Sequence, residues 1–162
     1  MLLLHLCQWL NDTSLATAIR ESELMFPLIE TVHVLAITLL AGTVAIVDLR
    51  LLGVILKKEQ VSEIAGRVLP LTWIGLALMF VSGFLLFLAE ALKSYGNPAF
   101  RLKILLLLLA GLNPLIFHST IYRSVAAWDR APVTPWRARL TAVLSLTLWS
   151  GIIVSGRAIA YF

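Results

Sequence analysis

The sequence predicts an all-α integral membrane protein, a four-helix bundle with a short amphipathic amino-terminal segment, forming one transmembrane domain over residues 1–162. Hydrophobic residues make up 60% of the chain and charged residues only 14%, whereas an average soluble domain has roughly 45–50% apolar and about 25% charged residues. A globule of this size cannot hide so much apolar surface from water, and disorder requires the opposite composition. The apolar residues are also collected in four long runs, which must be helical because only helices satisfy such a run's backbone in lipid.

Before the first apolar run, the chain has the pattern of two short amphipathic helices lying on the membrane surface. Apolar residues at helical spacing form one side of each helix: Leu3, Leu6 and Leu10, then Leu15, Ile19 and Met25. The polar residues 11–14 separate the two helices, and either Thr13 or Ser14 suits the N-cap of the second.

The four apolar runs are each long enough to cross ~30 Å of hydrocarbon, which takes ~20 residues of helix. They cover about 26–52, 68–92, 102–122 and 140–160. Pro27 and Pro70 lie near the expected helix starts, where a missing N–H costs little. Pro114 lies inside the third run, so we expect a kink and a free carbonyl near Ala110, with Asn113 bonding to the backbone groups that the kink opens.

The basic residues predict the orientation of the bundle, because Lys and Arg are retained in cytoplasmic loops. The first and third loops hold eight of them: Arg50, Lys57, Lys58, Arg67, Arg123, Arg130, Arg137 and Arg139. The opposite side holds five: Arg20, Lys93, Arg101, Lys103 and Arg157. We therefore expect both termini outside the cytoplasm. The net charge of +4 follows from these loops, and no basic and aromatic motif indicates nucleic acid as a partner.

Ionisable side chains at membrane depth are costly, so each is a candidate functional residue. One face of the first span holds Glu30, His33, Ile37, Ala41, Val44 and Asp48. Glu30 is one turn from His33, and a carboxylate beside a histidine fixes the ring tautomer and raises its basicity, which suits a metal or haem ligand. A buried polar pair that fixes helix packing is an equally good explanation of the same spacing.

Further candidates lie on the other spans and on the amino-terminal segment. Lys103 is near the outer end of the third span, where a lysine also snorkels to the interface. His118, one turn from the cytoplasmic end, suits an interfacial histidine, a ligand or a proton carrier. Arg157 is placed for a salt bridge to a glutamate across the bundle or for a haem propionate. Asp48 is placed for an ionic cluster with loop arginines, and His5 is the remaining histidine.

Depth separates the two histidines of the spans. The first and third spans run in the same direction, and at 1.5 Å per residue His33 lies ~10 Å and His118 ~24 Å from the outer end. Two axial ligands of one haem need similar depth, so we do not expect one haem between them. Three ligand arrangements remain possible. Haem is bound by His33 together with His5, by His33 alone, or at separate sites at His33 and His118. A copper site has the same depth limit, and the single Cys7 excludes a multi-thiolate site.

Motifs along nearly the whole chain resemble those of a known family. They are residues 19–22 (IRES), 26–27 (FP), 29–31 (IET), 33–35 (HVL), 48–53 (DLRLLG), 97–103 (NPAFRLK), 112–113 (LN), 117–118 (FH) and 156–161 (GRAIAY). The chain resembles a bacterial family of small four-helix membrane proteins of unknown function. The resemblance implies the fold and an inner-membrane location, hence periplasmic termini, but no activity.

A shorter set of residues is similar to two further families. It consists of His33, Gly42, Arg50, Lys103, Leu112 and Asn113. This layout resembles copper resistance protein D and the HemJ-type protoporphyrinogen oxidases. The second likeness implies haem held through a first-span histidine and a later-span lysine, which are His33 and Lys103 in this chain.

The residues together predict a small membrane protein that is associated with haem b or otherwise redox-linked. His33 is the expected ligand of haem or metal, Glu30 orients it, and Arg157 balances charge nearby. Copper handling is one alternative, and a non-catalytic accessory subunit without a cofactor is another. The expected partners are the lipid bilayer and, in a homo-oligomer or a larger complex, other membrane chains. No residue pattern indicates a catalytic centre.

Overall fold

A computed structural model describes residues 2–129, 131 and 133–161; Arg130 and Pro132, which belong to the predicted third loop, lie outside these residues. The described chain folds into helices joined by turns. In order these are α1 (Leu2–Asn11), α2 (Ser14–Glu21), α3 (Met25–Leu51), α4 (Val61–Ala89), α5 (Ala91–Gly96), α6 (Pro98–Thr120), α7 (Val125–Trp128) and α8 (Trp136–Ala158), with 3₁₀ turns at Tyr122–Ser124 and Ile159–Tyr161. Four of them, α3, α4, α6 and α8, are long and apolar enough to cross a membrane. The predicted all-α, four-helix fold is confirmed.

The bundle has two different ends. At the terminal end, α3 and α6 begin and α4 and α8 finish; at the loop end, the connections 52–60 and 121–135 join the helices. The amino-terminal helices form a cap on the terminal end, since α1 packs against α5 and α2 against α4. Ala16 and Ile19 are fully buried there, and the Arg20 guanidinium donates a hydrogen bond to the Ala89 carbonyl (2.9 Å). Thr13, one of the two predicted candidates, is the N-cap of α2 and accepts from the Ala16 N–H.

The second membrane helix begins seven residues before the predicted start. α4 starts at Val61, so Pro70 lies inside the helix and not near its first turn. The apolar run marks only the part of the helix suited to hydrocarbon, whereas the helix itself begins earlier, in a more polar stretch. Glu63 and Arg67 form an exposed ion pair one turn apart on this extension.

Asparagine and proline residues define the third membrane helix. Asn97 caps α6, its side-chain oxygen accepting from the Ala99 and Phe100 N–H groups, and Pro98 takes the first helical position. α6 continues through Pro114 to Thr120. The Asn113 side chain donates to the carbonyl of Thr141 on α8 (3.2 Å), and not to backbone groups near Ala110 as predicted. The amide therefore links two helices.

Helix α3 is the centre of the packing. It contacts α4 along most of its length and also α8, which in turn packs against α6. A methyl group on Gly75 would meet the Leu40 backbone at 3.1 Å, so the closest approach of α4 to α3 depends on this glycine. At the terminal end, the rings of Phe87 and Phe100 stack at 5.5 Å and bridge α4 to α6.

The buried face of α3 differs from the predicted ionisable face. It is formed by His33, Ala36, Leu40, Thr43 and Asp48, whereas Glu30 is exposed. The predicted face followed the charged residues, but close packing against α4 selects the small and apolar ones. Rotating the helix to bury Ala36 and Leu40 keeps His33 inside and turns Glu30 outward.

Candidate functional site

The His33 imidazole lies inside the bundle at the terminal end. It is eight residues after the first residue of α3, or ~12 Å along the helix axis, and is 9% exposed. The ring fits against α4 because residue 83 is a glycine: a methyl group there would lie 2.9 Å from His33 Cε1. This contact is closer than real side chains allow, so the space that the ring occupies exists only opposite Gly83.

The hydrogen bonds around Ser82 favour one tautomer of His33. The Ser82 hydroxyl donates to the Leu78 carbonyl, and Ser82 Oγ lies 2.9 Å from His33 Nδ1. A hydroxyl has a single proton, which here goes to the carbonyl, so Ser82 accepts from Nδ1–H. In a neutral ring the lone pair is then on Nε2. Ser82 therefore takes the orienting role that the sequence predicts for Glu30. It holds the imidazole by Nδ1 and leaves Nε2 as the nitrogen that can bind a ligand.

The amine of Lys103 faces that lone pair. Its Nζ, which comes from α6, lies 3.5 Å from His33 Nε2. The end of the lysine side chain passes Gly156 of α8, where a methyl group would lie 3.6 Å from Nζ. All four membrane helices thus contribute to one place, which we call the His33 site: His33, Ser82, Gly83, Lys103 and Gly156.

Lys103 has no acidic partner in this site among the described residues. The salt bridges found in that part of the chain are Arg67 with Glu63 and Lys93 with Glu90. An amine held inside a membrane without a carboxylate is costly as a cation. The site therefore offers two nitrogen donors and suits a ligand that accepts electron pairs or carries negative charge.

The other predicted residues lie away from the His33 site. Glu30 and His5 are exposed on α3 and α1. His118 is at the loop end, where its ring stacks on Tyr122 at 4.9 Å. Arg157 is exposed and donates to the Tyr161 hydroxyl (3.3 Å). Of the predicted set, the structure brings together His33 and Lys103.

Sequence reasoning missed Ser82 and Gly83 on α4, whereas Gly156 is one of the small residues expected to let helices approach closely. The available signal was a small polar residue followed by glycine in the middle of an apolar span, which is a place where another side chain can approach closely. Without knowing which face of α4 meets α3, that signal does not say which side chain approaches.

Asp48 forms no part of a cytoplasmic charge cluster, in contrast to the prediction. It is 6% exposed, and its Oδ2 has no hydrogen-bond partner among the described atoms. The nearby arginines are engaged elsewhere: Arg50 donates to the Glu59 carbonyl and Arg67 pairs with Glu63. Asp48 is buried in the bundle, whereas Arg50 bonds to the first loop and Arg67 pairs with Glu63 along α4.

A bare metal ion does not find enough ligands in the described residues. Across 2–129, 131 and 133–161, no three His, Cys, Asp or Glu side chains come together to hold one. Haem makes a smaller demand, since the porphyrin supplies four nitrogens and the protein one or two axial ligands. The donor set of the His33 site, an imidazole and an amine, fits that demand.

One comparison with known proteins gives a match. A family described as a family of unknown function (DUF6644) matches residues 17–162. Neither the curated proteins nor the solved structures give a match. The likeness to copper resistance protein D and to HemJ-type oxidases therefore gains no support from them.

Proposed function

This chain belongs to DUF6644, a family of unknown function, and we propose that it binds haem b within the membrane through the imidazole of His33. Haem bound there would supply one-electron redox chemistry. The protein is then a small redox-linked membrane component.

One observation supports this proposal above the others. Ser82 Oγ lies 2.9 Å from His33 Nδ1, and with the Ser82 proton on the Leu78 carbonyl a neutral ring would have its lone pair on Nε2. Histidines that bind metals almost always donate their other N–H to a neighbouring acceptor, which fixes the ring and the tautomer. Ser82 would be this acceptor for His33, so the ring needs no neighbouring carboxylate to hold it.

Lys103 is the second residue of the proposed site. Its amine, 3.5 Å from His33 Nε2, is placed to act as a second nitrogen ligand or to bind an anionic propionate. These two roles have different spectra. Loss of an axial nitrogen turns a six-coordinate low-spin haem into a five-coordinate high-spin one, whereas loss of a propionate partner leaves the spin state unchanged.

The test is an absorbance spectrum of the detergent-purified protein, oxidised and reduced, after expression with added haem precursor. We expect a Soret band in the native chain and its loss in His33→Ala. His118→Ala is the matched control, because His118 is a histidine of the same bundle at the opposite end, and it should keep the band.

Two results would overturn the proposal. One is a folded native chain that gives no Soret band even when titrated with haemin. The other is a His33→Ala spectrum identical to the native spectrum. Ser82→Ala gives an intermediate check, because removing the partner of a ligating histidine weakens binding by ~10–100-fold.

A further inference from the structure

A cavity of about 530 Å³ opens at the loop end, far from the His33 site. It lies between the end of α6 with its following turn and the start of α8. Its apolar walls come mainly from Ile121, Trp128, Leu140 and Leu144. We propose that this cavity binds an anionic phospholipid of the surrounding leaflet, with the phosphate at Arg137 and an acyl chain along α8.

The charges at the cavity favour an anion. Arg137 is the one cation in the described lining, which contains no carboxylate. Its guanidinium lies over the Trp136 ring, 5.7 Å from the centroid. The nearest acid along the chain, Asp129, is bonded to the Ser62 N–H and hydroxyl. Arg137 therefore remains free, within the described residues, to meet a phosphate.

The amino-terminal end of α8 also favours an anion at the cavity. Pro135 precedes the helix and provides no side-chain cap within the described residues. The N–H groups of the first turn are therefore left for an outside acceptor, and the helix dipole makes this end positive.

The apolar part of the cavity points to a lipid and not to a soluble ligand. Leu140 and Leu144 follow Arg137 along α8 at one-turn spacing and are 59% and 49% exposed. They lie in a helix that is apolar enough to cross the membrane. Trp136, 68% exposed, marks the level at which aromatic residues meet lipid headgroups. A basic residue at this level with an apolar groove below it matches the two parts of one phospholipid.

The test measures lipid retention by native mass spectrometry of the full chain, released from micelles that contain phosphatidylglycerol or phosphatidylcholine. We expect the native chain to retain phosphatidylglycerol in preference to phosphatidylcholine. Arg137→Ala should reduce that retention about fivefold, the factor that corresponds to ~1 kcal/mol for one cation near anionic lipid, and Arg137→Lys should restore most of it.

Arg139→Ala is the matched control. It removes the same charge from the same helix, but at 100° per residue Arg139 lies on nearly the opposite side from Arg137 and is not in the cavity lining. Equal retention of the two lipids by the native chain would overturn the proposal. An equal loss in both alanine variants would also overturn it, since it would indicate general surface charge. A protein dimer that excludes lipid and depends on Arg137 would overturn it as well, by showing that a second copy fills the cavity.

Discussion

At the scale of single residues, the position of His33 depends on the absence of a side chain at Gly83. The imidazole packs directly against α4 at Gly83, and its Nδ1 lies 2.9 Å from Ser82 Oγ. Packed interiors respond to a single extra methyl group because neighbouring side chains have no room to move. The glycine is therefore as important for the position of His33 as the side chains that contact the ring.

We predict that Gly83→Ala displaces His33 and destabilises the protein. The added methyl group would lie 2.9 Å from Cε1, and overpacking of this kind costs about 1–3 kcal/mol. The thermal unfolding midpoint in detergent should fall, and any Soret band should weaken.

Gly111→Ala is the control for this change. Gly111 also lies in a membrane helix, but a methyl group there meets no described atom within 4 Å. Alanine is a better helix former than glycine, so the thermal unfolding midpoint of Gly111→Ala should not fall. Equal midpoints for the two variants would show that His33 does not depend on the space at Gly83.

The same residues show how much of the site the sequence predicts. His33 and Lys103 are both conspicuous in the sequence, because they are ionisable groups in apolar helices. Spacing along the chain does not predict that they meet, since they are 70 positions apart and come together only because α3 and α6 both pack against α8. Glu30 is the orienting group that one-turn spacing from His33 predicts. That rule describes the surface of a single helix, and packing against α4 leaves Glu30 outside.

At the scale of helices, Asp129 joins two elements that are distant in the sequence. The residue that precedes α4, Gln60, provides no side-chain cap. Asp129, which follows α7, accepts from the Ser62 N–H at 3.1 Å and from the Ser62 hydroxyl. It is 8% exposed. A carboxylate from the third loop thus caps the helix that follows the first loop and holds the loop end together.

We predict that Asp129→Ala lowers the free energy of unfolding by about 1–2 kcal/mol, the usual cost of losing a helix cap. The amide N–H groups of the first turn of α4 should also exchange faster with deuterium. Glu63→Gln is the control, since it removes an acid from the same turn whose exposed pair with Arg67 contributes less than about 0.5 kcal/mol. If the amides of the first turn of α4 exchange no faster in Asp129→Ala than in Glu63→Gln, the capping role of Asp129 is contradicted.

Helix boundaries were the least predictable part of the fold. The apolar run identifies each membrane helix, since lipid requires it, but hydropathy does not report where hydrogen bonding ends. α4 therefore starts at Val61 and includes Pro70, and α3 begins within a residue of its predicted start because Pro27 fits its first turn. The third-loop cap on α4 could not have been predicted, because it depends on which loops meet.

At the scale of the whole molecule, the two ends of the bundle have different characters. The terminal end is closed by the amino-terminal helices, and His33 lies about two turns after the start of α3. Among the described residues, the loop end carries seven basic side chains and the cavity at Arg137. A bundle with one capped end and one basic end is asymmetric across the bilayer, so its orientation decides which compartment each site faces.

We predict that the loop end faces the cytoplasm, because basic residues are retained there. The single cysteine makes this measurable: Cys7 is 6% exposed, and Cys7→Ser gives a cysteine-free background. Lys93 and Lys58 are exposed at the terminal and loop ends respectively, and each is replaced by cysteine. A membrane-impermeant maleimide added to intact spheroplasts should label Lys93→Cys at once and Lys58→Cys only after permeabilisation. The reverse order would contradict the predicted orientation and place the His33 site near the cytoplasm. Equal labelling of both before permeabilisation would also contradict it, because the chain would then insert in both directions.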